Sequence, residues 1–206
     1  MTNTGRYIRA VLWDMDGTLM DSQPLWDESF RNCCRERGGT VTPEQVAGIA
    51  GASIARTCEL IAETGATASP QDPATAEVFA EISARVEAAV RADPPILPGA
   101  RSITATLNEI GLAQVIVTQS PRPIVEAVAH ALGDVFVELV TGDDGLPGKP
   151  TPAPYAAAIE LLGLSPEECV VVEDSATGAA SARSNDLRVI QVGGETKLFP
   201  GDPGLV

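Results

Sequence analysis

The sequence contains no apolar run that approaches the roughly 20 residues needed to cross a membrane. Its first nine residues, Met1 to Arg9, are polar and lack the apolar block and cleavage site of a signal peptide. The four cysteines form no C-x-x-C pair, so neither a disulfide framework nor a zinc site is indicated. We therefore expect a cytoplasmic protein in a reducing compartment, with no membrane partner.

Basic residues are also scarce, since 14 lysines and arginines face 28 acidic residues for a formal charge of -14. Such an acidic surface repels nucleic acid, which excludes it as a partner. It also repels anionic substrates, so a phosphate site would need local positive charge, such as a metal ion. The chain has one histidine, His130, and no G-x-S-x-G motif, so a serine hydrolase is not indicated. It has no G-x-G-x-x-G motif either, so a dinucleotide-binding protein is not indicated.

Short apolar runs rich in β-branched residues alternate with longer amphipathic segments along most of the chain. This alternation predicts an α/β fold with a doubly wound parallel sheet whose strands are buried. The predicted strands are Ile8 to Trp13, Val115 to Thr118, Val137 to Val140, Cys169 to Val172 and Val189 to Val192. The predicted helices between the later strands are Ala100 to Ile110, Pro123 to Leu132, Pro154 to Leu162 and Thr177 to Ser184.

One long segment interrupts this alternation. Residues 22–92 show only helical patterns, over Leu25 to Arg37, Ile54 to Glu63 and Ala74 to Arg91, and then comes a Pro/Gly-rich stretch, Asp93 to Gly99. We interpret residues 22–92 as a helical cap inserted after the first strand. Residues 1–21 and 93–206 would form the catalytic α/β core.

Two acidic residues, Asp14 and Asp16, directly follow the first predicted strand. Residues two apart in an extended chain point to the same side, so both carboxylates face the sheet edge where α/β folds bind ligands. Gly17 allows a sharp turn after them. A calcium loop is excluded because Leu25 stands where its twelfth residue should be glutamate; a chance acidic turn is the alternative.

A second acidic pair, Glu173 and Asp174, follows another predicted strand. Acidic residues after strands often cap helices, so this pair means little alone. Opposite the first pair it would form an all-oxygen site suited to Mg²⁺, or to Mn²⁺ in the cell.

Two further segments offer groups that could hold a phosphate. Thr118 and Gln119 end a third strand, where hydroxyl, amide and backbone N–H groups can surround an anion, although a helix cap is an alternative there. Lys149 precedes a proline and therefore lies in a loop, where a solvated surface lysine is the alternative. The chain has only two lysines, Lys149 and Lys197, which indicates that a compact ammonium is required at residue 149.

Taken in order, Asp14 to Thr18, then Thr118, Lys149 and the Glu173-Asp174 pair resemble the four motifs of the haloacid dehalogenase superfamily of phosphohydrolases. The segments around Lys149 and Glu173 are similar to the branch of β-phosphoglucomutases and sugar-phosphate phosphatases, which also carries a helical cap. The resemblance spans nearly the whole chain. Gln119 departs from the family pattern, because asparagine or serine is commoner at that position.

The resemblance implies a role for each residue. Asp14 would attack phosphorus to form an aspartyl-phosphate, and Asp16 would act as the acid and base. The phosphoryl oxygens would be held by Thr118, Gln119 and Lys149. Magnesium would be held by Asp14, the backbone carbonyl of Asp16, Glu173 and Asp174.

The cap is expected to choose the substrate. It contains no lysine or histidine, whereas β-phosphoglucomutases use such residues to hold a second phosphate, so hydrolysis of a small sugar or sugar-alcohol phosphate is favoured over mutase activity. Trp26 and Arg56 are the cap residues expected to contact substrate, although for Arg56 a solvated charge on a helix is the alternative. A phosphomutase and a catalytically inactive binding protein are the alternatives, and the chain is compatible with a monomer.

Overall fold

The structure, a computed structural model, describes residues 7–193. Residues 1–6 of the segment considered for a signal peptide lie outside this range, and so does Lys197. No helix within it is long and apolar enough to span a bilayer.

A five-stranded parallel sheet forms the centre of the fold, with the strand order β3-β2-β1-β4-β5. Its strands are β1 (Ala10–Trp13), β2 (Ala113–Val117), β3 (Glu138–Val140), β4 (Cys169–Glu173) and β5 (Arg188–Gln191). Within residues 7–193 the α-helices are α1 (Gln23–Glu36), α2 (Pro43–Ala47), α3 (Ile54–Glu63), α4 (Pro73–Ala92), α5 (Ala100–Glu109), α6 (Arg122–Ala131), α7 (Ala153–Leu162) and α8 (Ala176–Arg183).

Alternate residues of each central strand enter the cores on opposite faces of the sheet, as a period of two requires. On one face Val11 and Trp13 pack with residues of α5 and α6. On the other face Leu12 packs with Tyr155 of α7 and Ala182 of α8. Helices therefore cover both faces, and the predicted doubly wound α/β fold is confirmed.

The two edge strands are less buried than we expected. Every residue of β4 is buried, but no residue of β5 is, and Val140 is the one buried residue of β3. The prediction of buried strands was therefore wrong for β5 and for most of β3. Within the described chain, each of these strands pairs with a neighbour on one side only, because both lie at the edges of the sheet. Their side chains are therefore more exposed than their apolar sequences led us to expect.

Of the five α-helices between β1 and β2, the first four, α1 to α4, lie in the segment interpreted as the cap. They enclose a separate apolar cluster that includes Phe30, Leu60 and Ile82. Helix α2 was not predicted, although Thr42 and Gln45 form a reciprocal capping box that the sequence displays. The division of the chain at residues 22 and 92 stays a prediction.

Candidate active site

Residues from four segments meet at the carboxyl-terminal edge of the sheet. Asp14 follows β1, Thr118 follows β2, and Glu173 is the last residue of β4. Lys149 comes from the loop between β3 and α7. Since all five strands are parallel, their carboxyl ends share one edge, which is where this architecture binds ligands.

A buried chain of charged side chains crosses this edge. The ammonium of Lys149 lies 2.7 Å from Oδ1 of Asp14 and 2.8 Å from Oε1 of Glu173. The other Glu173 oxygen accepts hydrogen bonds from the backbone N–H and the hydroxyl of Ser175. The N–H of Asp14 donates to the carbonyl of Val172, which holds the start of this loop against β4. These contacts fix the Asp14 carboxylate before any ligand arrives.

The charges at this edge do not balance. Burial raises the pKa of Asp14 to about 7, although Lys149 opposes the shift, and burial and the nearby Glu173 raise the pKa of Asp174 to about 6. Burial alone would lower the pKa of Lys149, but Asp14, Tyr155 and Glu173 raise it well above its usual range. One ammonium, 5.0 Å from the ring centre of Tyr155, therefore faces a surplus of carboxylates, and a cation would relieve their repulsion.

Three of these carboxylates can converge on a metal ion. One oxygen from each of Asp14, Glu173 and Asp174 lies within 4.8 Å of the others. Oδ2 of Asp14 is buried and has no hydrogen-bond partner among the described residues, which leaves it available as a ligand. The donors are all hard oxygens, the type that Mg²⁺ binds. The side chain of Asp16 is not in this group.

Two glycines make room for these carboxylates. A β-carbon on Gly17 would lie 2.1 Å from Oδ2 of Asp174, and the φ angle of Gly17 is +89°, which disfavours other residues. A β-carbon on Gly178 would lie 1.5 Å from Oε1 of Glu173. Glycine is therefore required at both positions because the carboxylates approach the backbone closely.

The Asp16 carboxylate is held by three hydroxyl groups. Oδ2 accepts from Thr118 at 3.0 Å and from Ser120 at 2.8 Å, and Oδ1 accepts from Ser22 at the start of α1. Ser120 and Ser22 were missed by the sequence analysis. Ser120 could have been found, since it stands two residues after Thr118 and can face the same side. Thr118 was expected to hold phosphate and here binds Asp16.

Between this edge and the cap lies a cleft of about 370 Å³. The cap residues that line it carry no formal charge: Ser22, Gln23, Trp26, Ile49, Ala50, Gly51, Ala52, Ile54, Thr57 and Phe79. We call this set the neutral roof. Trp26 therefore lies at the cleft, where a residue that contacts substrate would be expected.

Arg56 does not line the cleft. Its guanidinium lies 2.8 Å from Glu59 and 2.8 Å from Glu63, on the exposed side of α3. Ile54, the first residue of that helix, faces the cleft instead. Residues two apart on a helix point in different directions, so only one of the two can face the substrate in this arrangement.

The side chain of Gln119, which was predicted to hold phosphate, contacts the cap instead. Its Nε2 donates to the backbone carbonyl of Gly51 in the cap. Its own backbone N–H donates to no acceptor among residues 7–193, so that group stays available to a ligand.

Comparison with known proteins agrees with the geometry of this edge. A family model described as haloacid dehalogenase-like hydrolase matches residues 8–186. The chain belongs to this family. The resemblance seen in the motifs is therefore confirmed, and so is the prediction of an enzyme, a phosphoric monoester hydrolase, at the level of the hydrolase family.

Curated relatives within the haloacid dehalogenase-like family include two proteins from Escherichia coli strain K12. Hexitol phosphatase A is 33% identical over 187 residues, which cover 89% of this chain and 82% of the relative. Hexitol phosphatase B is 30% identical over 194 residues, covering 92% and 86%. Among solved structures, β-phosphoglucomutase from Clostridium difficile matches with a TM-score of 0.78 at 18% identity, covering 91% of this chain and 85% of that one. This last likeness concerns the fold alone.

Proposed function

We propose that this chain is a Mg²⁺-dependent phosphatase that transfers the phosphoryl group of a small phosphomonoester to Asp14 and then to water. The observation that carries this proposal is the buried Asp14 carboxylate, which has one oxygen bound to Lys149 and the other without a partner. A carboxylate positioned in this way can attack phosphorus and form a covalent intermediate. The two hexitol phosphatases support the same reaction class.

The acidic residues fit a magnesium ion. Asp14, Asp174 and the backbone carbonyl of Asp16 would hold it, with Glu173 in contact directly or through water. Glu173 already uses both carboxylate oxygens, toward Lys149 and Ser175, so we favour contact through water. When bound, the ion would supply positive charge that offsets the negative charge of the phosphoryl oxygens.

In the first step an oxygen of Asp14 forms a bond to phosphorus while the bond between phosphorus and the leaving oxygen breaks. Asp16 gives its proton to that oxygen, so the organic product departs as an alcohol. The ammonium of Lys149 and the N–H of Gln119 hold phosphoryl oxygens as charge shifts onto them, as does Thr118 once its hydroxyl leaves Asp16. The products are the alcohol and an aspartyl-phosphate on Asp14.

In the second step water attacks the phosphorus of the aspartyl-phosphate. Asp16, now ionised, takes the proton from this water, and the bond between Asp14 and phosphorus breaks. The three hydroxyls around Asp16 hold its carboxylate in place for this step. Inorganic phosphate leaves, and both aspartates return to their starting states.

The neutral roof supports an uncharged organic group on the substrate. No cap side chain that lines the cleft is cationic, so none could form an ion pair with a carboxylate or a second phosphate. Polar and aromatic groups such as those of Gln23 and Trp26 can instead contact hydroxyls and the apolar faces of a sugar. We therefore propose a sugar or sugar-alcohol monophosphate as substrate, in keeping with the hexitol phosphatases.

The test is an assay of phosphate release from small phosphomonoesters with Mg²⁺, with and without EDTA. The panel contains hexitol and hexose phosphates, phosphoglycolate and glycerol phosphate, and 6-phosphogluconate as the carboxylate counterpart of glucitol 6-phosphate. We expect EDTA-sensitive release that is lost in Asp14→Asn, with glucitol 6-phosphate preferred over 6-phosphogluconate. Release that persists in Asp14→Asn would reject Asp14 as the nucleophile.

A second assay addresses the two alternatives. Conversion of β-glucose 1-phosphate to the 6-phosphate without phosphate release would identify a mutase, which the neutral roof argues against. Calorimetric binding of Mg²⁺ and sugar phosphates without turnover would identify an inactive binding protein.

A further inference from the structure

Gln119 links the core to a cap loop across the cleft. It belongs to the loop after β2, yet its Nε2 donates to the carbonyl of Gly51 on the opposite side of the cleft. Other hydrogen bonds between core and cap lie in the two segments that connect them, or beside these segments, as the bond between Ser22 and Asp16 does. Elsewhere among the described residues, the bond from Gln119 to Gly51 is the one hydrogen bond that joins core and cap. No ion pair of the described residues joins core and cap either.

The space around the Gln119 amide is closely fitted. Oε1 lies against Gly148, where an added β-carbon would come within 2.2 Å of that oxygen and 3.4 Å of the β-carbon of Ser53. Gln119 therefore sits between the loop that carries Lys149 and the cap loop of residues 48–53. This position explains why glycine precedes Lys149, because any side chain there would displace the amide.

The partner of Gln119 belongs to a loop that covers the phosphoryl site. Ile49, Ala50, Gly51 and Ala52 all line the cleft beside Asp14 and Lys149. A carbonyl that loses its donor must be hydrated or left unpaired, so loss of the Gln119 contact favours displacement of this loop. Closure of such a loop excludes water and positions the organic part of a substrate.

We propose that Gln119 is a positioning residue that holds the cap loop of residues 48–53 over the cleft through its bond to Gly51. Only the kinetic consequence of this inference, the effect on KM, rests on the proposed function. Gln119→Met keeps the length of the side chain and removes the donor. We expect KM for a sugar phosphate to rise about five- to tenfold, as the loss of one hydrogen bond implies, with little change in kcat.

Cap position can be measured without any substrate. The chain has two tryptophans, of which Trp13 is 3% exposed in the core and Trp26 lines the cleft, so acrylamide quenching reports on the cleft through Trp26. We expect stronger quenching in Gln119→Met than in the unmodified protein. The matched control is Gln71→Met, since Gln71 is an exposed cap residue that does not line the cleft, and its substitution should leave quenching unchanged.

Inorganic phosphate, used as a product inhibitor, separates this role from direct phosphate binding. Its inhibition constant should stay within about twofold in Gln119→Met, because the backbone N–H that faces phosphate remains. Weaker phosphate inhibition in proportion to the loss of kcat/KM would overturn the proposal. So would unchanged quenching, even if no phosphatase activity were found for any form of the protein.

A double-mutant cycle gives a further check. Gly148→Ala should increase quenching by displacing the Gln119 amide, but it should add almost nothing in a Gln119→Ala background, where no amide remains to displace. Additive effects in the two backgrounds would contradict the placement of Gln119 against Gly148. Thermal unfolding of each variant identifies any loss of folding.

Discussion

The two sides of the cleft are built on different principles. On the core side, Asp14, Lys149 and Glu173 are buried, charged and bound to one another at defined distances. On the cap side the neutral roof carries no charge, and Arg37, Arg56 and Arg85 of the cap pair with carboxylates on exposed helix surfaces. The contrast fits the proposed function, in which the core side performs the chemistry and the cap side acts through shape and uncharged contacts.

The strongest test of this contrast compares one buried and one exposed cation. Lys149→Met leaves Asp14 and Glu173 without their shared ammonium, so we expect the free energy of unfolding to fall by about 3 kcal/mol and activity by at least roughly 10³-fold. Arg56→Met removes a cation that is partly exposed to solvent, and should change either quantity little. Urea unfolding and phosphate release measure both. Similar losses in the two variants would remove the distinction between the two sides of the cleft.

Metal binding should also separate the two sides. At about 100 times its Kd, Mg²⁺ should raise the unfolding temperature by roughly 5–10 °C, because it binds the folded state alone. EDTA should reverse the rise, and Asp174→Asn should abolish it. Glu59→Gln, which alters a carboxylate of the cap surface, should leave the rise intact. An equal rise in Asp174→Asn would place the metal elsewhere.

A charge added to the roof should change substrate preference. Ile54→Arg places a guanidinium at the cleft, so the ratio of kcat/KM for 6-phosphogluconate to that for glucitol 6-phosphate should rise about tenfold. Ala55→Arg adds the same charge at an adjacent exposed position that does not line the cleft, and should leave the ratio unchanged. Equal ratios in both variants would mean that the roof does not contact the carboxylate end of the substrate.

The smallest effect is expected from the ion pairs on the cap surface. Arg85 binds Glu36 and Glu81, and Arg85→Ala should lower the unfolding temperature by no more than about 2 °C at neutral pH. A hydrogen bond from Arg85 lowers the pKa of Glu36 below its usual value of 4.5. Hydrogen bonds from Arg37 and Arg85 lower the pKa of Glu81 in the same way. The stabilisation is therefore present above pH 4.5 and is lost as pH falls through the lowered values. A difference that persists in strong acid or in high salt would point to packing rather than charge.

Local pattern was sufficient for most of the elements that place the site. The strands β1, β2 and β4 and the polar or acidic residues at their ends were predicted because strand periodicity and the parallel arrangement follow from nearby residues. Helix α2 was missed despite its capping box, since five residues carry too weak a periodicity. The exposure of β3 and β5 was missed because position within a sheet depends on partners far along the chain.

Side-chain direction was harder to predict than backbone. Arg56 was expected at the cleft on account of its charge, but the rotation of α3 presents Ile54 there and turns Arg56 toward Glu59 and Glu63. Gln119 was expected to hold phosphate, and its amide instead reaches Gly51. Both outcomes depend on how the cap lies over the sheet, which short-range sequence does not encode.

The sequence by itself determined the family, because strand-end carboxylates and a lysine before proline have few other uses in this order. It also determined the sheet and the presence of helices after β1. Only the tertiary structure decided which cap residues face the cleft, which hydroxyls hold Asp16 and which side chain joins core to cap. These features arise from contacts between segments far apart in the chain, and such contacts exist only once both segments have packed.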